Sequence, residues 1–189
     1  MVAIITNMRS FARARGEMLT SITPRVPVKA ALSFFQEQFR IDEIQLQFTH
    51  EQDLPMIKAD PQKVEQIVVN FLSNARYAVE EKATSVVAEY QKKVDVRLFC
   101  DQAQQMVILE VEDNGTGMSS DVLNHCLEPF YTTKKVGEGT GLGLVIVHNL
   151  IKEFNGTLEI KAREGLGTCF QVLFPIEDEK KNPQTAVPE

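Results

Sequence analysis

The sequence predicts an α+β domain, a two-layer α/β sandwich with helices on one face of a mixed sheet, and three observations carry that prediction. Apolar residues at Val64, Ile67, Val68, Phe71, Leu72, Ala75 and Val79 recur with helical period, the mark of a helix that buries one stripe. Two pairs of apolar runs, Val94–Cys100 with Met106–Asp113 and Thr157–Ala162 with Thr168–Pro175, flank the short turns DQAQQ and REGLG, as antiparallel strands do. At 189 residues, 43% hydrophobic and 24% charged, the chain has the length and composition of a single globular domain with short extensions.

In chain order, Ile4, Ile5, Met8, Phe11 and Ala12 sit at helical spacing, so residues 1–15 read as the end of an amphipathic helix. Residues 16–27, with Pro24 and Pro27, read as a linker. A helix over Val28–Gln38 and a strand over Ile44–Thr49 follow, the latter apolar at alternate positions. Asp60-Pro61 is a helix start, because the aspartate accepts from the first free amides and proline suits the first helical position. The polar stretch Glu80–Lys93 is compatible with helix or loop. A short helix near Ser119–Leu127, a glycine-rich loop and a helix over Gly141–Phe154 come next. The main domain spans residues 28–176, and the charged, proline-containing tail 177–189 reads as disordered.

Net charge is −6 and the pI near 5.2, which argues against a nucleic-acid binder and requires any phosphate ligand to be held by local geometry. Cys100, Cys126 and Cys169 are odd in number and widely separated, so they read as reduced thiols of an intracellular protein. No apolar run has the length of a membrane span, and Met1–Met8 is too short for a signal peptide.

Several clusters carry candidate chemistry. Asn70 and Asn74 lie four apart on the helix after Asp60, with Tyr77 a turn further on, so all three share a face. Asparagine is a poor helix former, and its amide oxygen is a hard neutral ligand suited to Mg²⁺; the alternative is a solvated face. In VEDNGTGM, Asp113 ends a strand, and Gly115 and Gly117 let backbone approach a ligand. That carboxylate can accept from an exocyclic amino group, or the motif can be an ordinary turn. In GEGTGLGL, glycines 137, 139, 141 and 143 run into a helix whose first amides form an anion site, with the Thr140 hydroxyl beside it. It is neither a Walker loop nor a dinucleotide fingerprint, and the alternative is a hinge. Between them, EPFYTTKK offers Phe130 and Tyr131 to pack a lid onto the domain and Lys134 or Lys135 to reach phosphate oxygens, or else a solvated basic pair.

Taken in order, Asn70-x-x-x-Asn74-Ala75, DNGTGM, EPFYTTK, GTGLGLVIV and GLGTCFQVLFP resemble the N box, first glycine box, F box, second glycine box and closing strand of sensor histidine kinases. The resemblance covers about Val28 to Pro175 and implies the Bergerat ATP-binding fold of the GHKL superfamily, with ATP and Mg²⁺ as cofactors. It implies that Asn74 is the Mg²⁺ ligand, assisted by Asn70. Asp113 would read adenine, with Gly115, Gly117 and Met118 shaping the base pocket, Thr168 supporting the aspartate and Tyr77 lining the nucleoside side. Lys134, Lys135, Gly139, Thr140, Gly141, Leu142, Gly143 and Leu144 would make the lid and phosphate contacts, and Asn70 and Lys134 would be the catalytic pair. Hydrolysing relatives carry a water-activating glutamate where this chain has Asn70. An amide takes no proton at neutral pH, which favours transfer to a histidine over hydrolysis.

Residues 1–15 are similar to the end of a dimerisation helix. The implied partners are therefore the chain's own dimerisation and phosphoacceptor domain and a response regulator, in a homodimeric parent that is cytoplasmic or anchored in the inner membrane. His50 in HEQDLP matches the acceptor signature superficially, but it closes a strand where an acceptor sits on a bundle helix. His125 and His148 read as structural. The alternatives are a degenerate nucleotide-responsive module and a serine kinase of the anti-sigma type. The segment Val79–Lys93 is longer than the family's usual connection, either an extended helix or a partner-facing loop.

Overall fold

The computed structural model describes residues 19–85, 89–135 and 137–177. In order these form β1 (Thr20–Ile22), α1 (Arg25–Ile41), β2 (Gln45–His50), β3 (Ile57–Ala59) and α2 (Pro61–Ser85). Then come β4 (Lys93–Asp101), β5 (Met106–Asp113), α3 (Ser120–His125), α4 (Gly143–Glu153), β6 (Thr157–Arg163) and β7 (Gly167–Pro175). The main sheet has five strands in the order β2-β4-β5-β7-β6. β2 runs parallel to β4 and every other neighbour is antiparallel, so the sheet is mixed as expected.

Alternation decides which face meets the helices. Val94, Val96 and Leu98 on β4, Val107, Leu109 and Val111 on β5, and Phe170, Val172 and Phe174 on β7 are all buried on one side. α2 lies across these strands, with α1 and α4 beside it. Its predicted stripe, from Val64 to Val79, is fully buried, and Phe71 stacks on Phe170 with ring centroids 4.7 Å apart. Each such side chain contributes about 1.5–3 kcal/mol by leaving water. The other face mixes polar pairs with a small apolar patch: Arg97 pairs with Glu110 and Glu112, Lys161 donates to Gln171 at 2.8 Å, and Ile108 lies opposite Leu173. β6 forms one edge and carries Glu159, Lys161 and Arg163 outward at alternate positions.

Two expectations need correction. Part of the expected linker is structured: β1 pairs antiparallel with β3, and α1 begins at Arg25, not Val28. Pro24 sits at the helix cap with φ −62°, and Pro27 lies in the first turn, where a missing N–H leaves no helical bond unmade. Those prolines open a helix rather than keep it from forming. The β1–β3 ribbon has three residues per strand, too few for an alternating pattern to announce it. The expected helix over residues 1–15 lies outside the described residues. So does the tail beyond Glu177, whose own amide donates to the Met56 carbonyl at 2.9 Å. Of the ambiguous Glu80–Lys93 stretch, α2 takes the residues up to Ser85 and 89–92 form a loop. Asp60 caps α2 as predicted, its Oδ1 accepting from the Gln62 amide at 2.8 Å. The three cysteines are free, as expected.

Candidate functional site

The candidate residues gather at two poles. At the first, β5 ends in Asp113, only 5% exposed and opposite Thr168 of β7 in register. The Gly115 amide donates to Asp113 Oδ1 at 2.8 Å. Burial pushes this carboxyl up to about 6, while the backbone amides of Gly115 and Thr168 pull it back down. The loop that follows is pressed against its neighbours backbone to backbone. Gly117 has φ +66°, and a Cβ there would lie 2.0 Å from the Arg163 carbonyl oxygen; a Cβ at Gly167 would lie 1.9 Å from that of Asp113. No side chain fits either position. Gly115 packs on Ala78 of α2 in the same way. Met118 is half-buried against the core and also lines a hollow of about 290 Å³ with Ser119, Leu123, Ala162 and Arg163.

The second pole lies on the polar stripe of α2. Asn70, Asn74 and Tyr77 are each half-buried there, as the spacing requires. Asn70 Nδ2 donates to the Gln66 carbonyl at 2.8 Å, and its Oδ1 faces the start of α4, where a Cβ on Gly143 would come within 2.9 Å of it. The Lys134 ammonium donates to Asn74 Oδ1 at 2.9 Å and stands 4.7 Å from the centre of the Tyr77 ring. Burial lowers the Lys134 pKa, with Glu81 and Glu138 opposing. Burial, then Glu81 and Glu138, raises the Tyr77 phenol, which meets the Lys135 backbone.

The segment between α3 and α4 therefore closes on α2 through Lys134, while the Lys135 side chain stays exposed. Thr140 Oγ1 accepts from the Leu142 amide at 3.4 Å, and α4 begins at Gly143 with no side-chain cap on its first turn. Those amides are the fixed partial positive charge of this pole. Gly139 packs against Thr132 and Lys134, and Leu144 is half-buried against the core. Tyr131 packs on the His125 ring, centroids 5.6 Å apart. Phe130 does not pack a lid down as expected: it is 74% exposed, with φ +68°, held by its amide donating to the Gly141 carbonyl at 3.0 Å.

Among the described residues no group of His, Cys, Asp and Glu side chains could hold a metal ion. The donors at this pole are the amide oxygens of Asn70 and Asn74, and the latter already attracts a cation. Neutral amide oxygens suit a Mg²⁺ that keeps waters and shares phosphate oxygens, so the residues fit that ion when phosphates complete its shell. His50 ends β2, its Nδ1 2.9 Å from the Glu51 carbonyl and its ring against Phe48. His125 lies on α3 and His148 on α4, where burial lowers the latter's pKa.

Two residues at the first pole escaped the sequence. Lys82 reaches the Asn114 and Gly165 carbonyls, and Tyr90 reaches Asn114. Their partners are main-chain oxygens, which no residue pattern marks.

Residues 59–178 match the family model described as histidine kinase-, DNA gyrase B-, and HSP90-like ATPase. The sensor histidine kinase ZraS of Escherichia coli (strain K12) is 28% identical over 96% of this chain and 36% of its own length. The sensor kinase CckA of Brucella abortus (strain 2308) is 33% identical over 97% of this chain and 20% of its own length. The chain thus spans between about a fifth and about a third of these curated relatives. Among solved structures, the catalytic domain of the histidine kinase ThkA in a nucleotide-free form superimposes with TM-score 0.70 at 23% identity, over 85% of this chain and 99% of that one. Full-length ShkA in complex with AMPPNP gives TM-score 0.74 at 24% identity, over 92% of this chain and 35% of that one. At that identity the likeness shows a shared fold.

Proposed function

Because this chain belongs to the histidine kinase-, DNA gyrase B-, and HSP90-like ATPase family and its relatives are sensor kinases, we propose that it is the ATP-binding catalytic domain of a sensor histidine kinase. It holds Mg-ATP and passes the γ-phosphoryl group to a histidine on a dimerisation domain, for relay to a response-regulator aspartate in a homodimeric parent. The observation that carries this reading is the contact of Lys134 with Asn74, 2.9 Å long, beside the uncapped first turn of α4. It joins a cation, an amide oxygen and free helix amides in one place, the three kinds of group a polyphosphate with its metal needs.

In this reading Asp113 accepts from the adenine amino group while Gly117 lets the loop approach the base. Asn74 and Asn70 would hold Mg²⁺, which would supply charge neutralisation at the phosphate oxygens. Lys134 moves from Asn74 onto a phosphate oxygen, and the α4 amides, from Gly143 onward, orient the same group. The acceptor imidazole nitrogen forms the P–N bond as the bond to the bridging oxygen breaks and ADP leaves, so the chain's part is positioning and charge stabilisation. Asn70 offers water no base, which favours transfer over hydrolysis.

Calorimetry with MgADP, then incubation with labelled ATP and a separate dimerisation domain from a related kinase, tests both halves. We expect nucleotide uptake, and acid-labile label on the added domain but none on this chain. Uptake without transfer to any supplied acceptor would point instead to a nucleotide-responsive module. No uptake by folded protein overturns the reading. Among the described residues no helix is long and apolar enough to cross a membrane.

A further inference from the structure

The loop after β5 is held from behind by side chains that touch no candidate ligand position. Lys82, on the last turns of α2, donates to the Asn114 carbonyl at 2.7 Å and to the Gly165 carbonyl at 2.9 Å, and stands 4.9 Å from the centre of the Tyr90 ring. The Tyr90 hydroxyl lies 3.0 Å from the Asn114 carbonyl oxygen and 2.9 Å from Asn114 Oδ1, its single proton serving one at a time. The Asn114 side chain is engaged further, accepting from the Lys93 amide at 2.9 Å and donating to the Gln91 carbonyl at 2.8 Å. A backbone bond from the Gly165 amide to the Thr116 carbonyl, 2.7 Å, closes the ring. One ammonium thus ties two separate turns together, the Asp113–Gly117 loop and the tip between β6 and β7.

We infer that Lys82 and Tyr90 are positioning residues for purine recognition: they clamp the Asp113–Gly117 loop to the β6–β7 turn and so fix where the Asp113 carboxylate points. The inference rests on reading Asp113 as the carboxylate that meets the base. It gives the long Val79–Lys93 segment a role within the site, since Lys82 and Tyr90 both belong to it. A half-buried ammonium with two carbonyls and an aromatic face has a partner in each direction, which makes the clamp stiff. Lys82 also acts on Asp113 through charge. The charged and titratable groups that face this carboxyl are Glu112, which raises its pKa, Lys82, which lowers it, and the Tyr90 phenol, itself pushed up to about 12 chiefly by burial.

The test compares wild type with Lys82→Met, Lys82→Gln and Tyr90→Phe. The Asp113 carboxyl is titrated by carbon NMR without nucleotide, and MgADP affinity is measured by calorimetry across the same pH range. Lys82→Met should weaken MgADP at neutral pH by about tenfold and raise the Asp113 midpoint by about half a unit or more. Lys82→Gln, which keeps a donor and loses the charge, should raise the midpoint equally while losing less affinity. Tyr90→Phe should weaken binding by about threefold with the midpoint unmoved. If Lys82→Met does not fold, the other two variants still decide the matter. Wild type that fails to bind MgADP would refute the proposed function itself. Wild type that binds, with variants within twofold of it, overturns the clamp. So does a loss of affinity in both Lys82 variants that leaves the Asp113 midpoint where it was, because a merely structural lysine would behave that way.

Discussion

Around Asp113, main chain rests on main chain: Gly117 and Gly167 each sit where a Cβ would meet a backbone atom at 2.0 Å or less, and Lys82 bolts the two turns together. Around Lys134 close backbone packing is confined to Gly141, where a Cβ would meet the Phe130 backbone at 2.3 Å, and the rest is looser. Side-chain contacts join the segment to α2, Lys134 meeting Asn74 and the Tyr77 ring and the Tyr77 phenol meeting the Lys135 backbone, while Phe130 is exposed and a Cβ on Gly137 would meet nothing within 4 Å. The first pole is built like a core and the second like a latch. Regions with few buried contacts open at low cost, and those locked by backbone packing open only with the whole domain. Under the proposed function the base would be met at the rigid end and the phosphates at the loose end, so that recognition and closure would be separate.

Substitutions that treat the two ends alike should expose the difference. Gly167→Ala forces a methyl into the Asp113 carbonyl at φ +121° and should cost about 3 kcal/mol or more, read as a lowered denaturation midpoint. Gly137→Ala, at φ +92° but in open space, should cost only about 1–2 kcal/mol. Equal losses would mean that the two loops are equally packed, against the contrast drawn here.

Ligand binding should separate the ends as well. Asp113→Asn should weaken MgADP by about a hundredfold, the worth of a hydrogen bond to a buried charge. It should also alter pH behaviour. The folded carboxyl sits at about 6, above its ordinary 3.8, so its contribution to stability is fully present below about pH 4 and is lost as pH rises through 6. Affinity moves the other way in wild type: an ionised acceptor favours the amino group, so MgADP binding should fall as pH drops below about 6. A variant that keeps the same acid slope in calorimetry would remove Asp113 from that role. Lys134→Met should cost about tenfold in MgATP affinity, more than in MgADP, and leave the melting temperature unchanged or slightly raised, because a buried ammonium is itself unfavourable. A large loss of stability in that variant would make Lys134 part of the scaffold.

The same contrast explains what could be read from residues alone. The α2 stripe, the strand pairs and the shared face of Asn70, Asn74 and Tyr77 follow from periodicity, which each residue announces by its type. β1 and β3 are too short to carry a period, and the prolines at the start of α1 are compatible with a linker or a helix start. Lys82 was hidden for a different reason: its partners are the carbonyls of Asn114 and Gly165, present in every residue and made special only by where the chain has folded. Phe130 departs from its expected packing because its left-handed backbone, set by contact with Gly141, leaves the ring exposed.

The β6 edge has a bearing on how such a domain behaves beside its neighbours. An outermost strand is a template for another strand, and the Glu159, Lys161 and Arg163 charges set along it make that template unattractive to a second copy. Along this edge, whatever meets the domain then meets side chains rather than an open row of backbone groups.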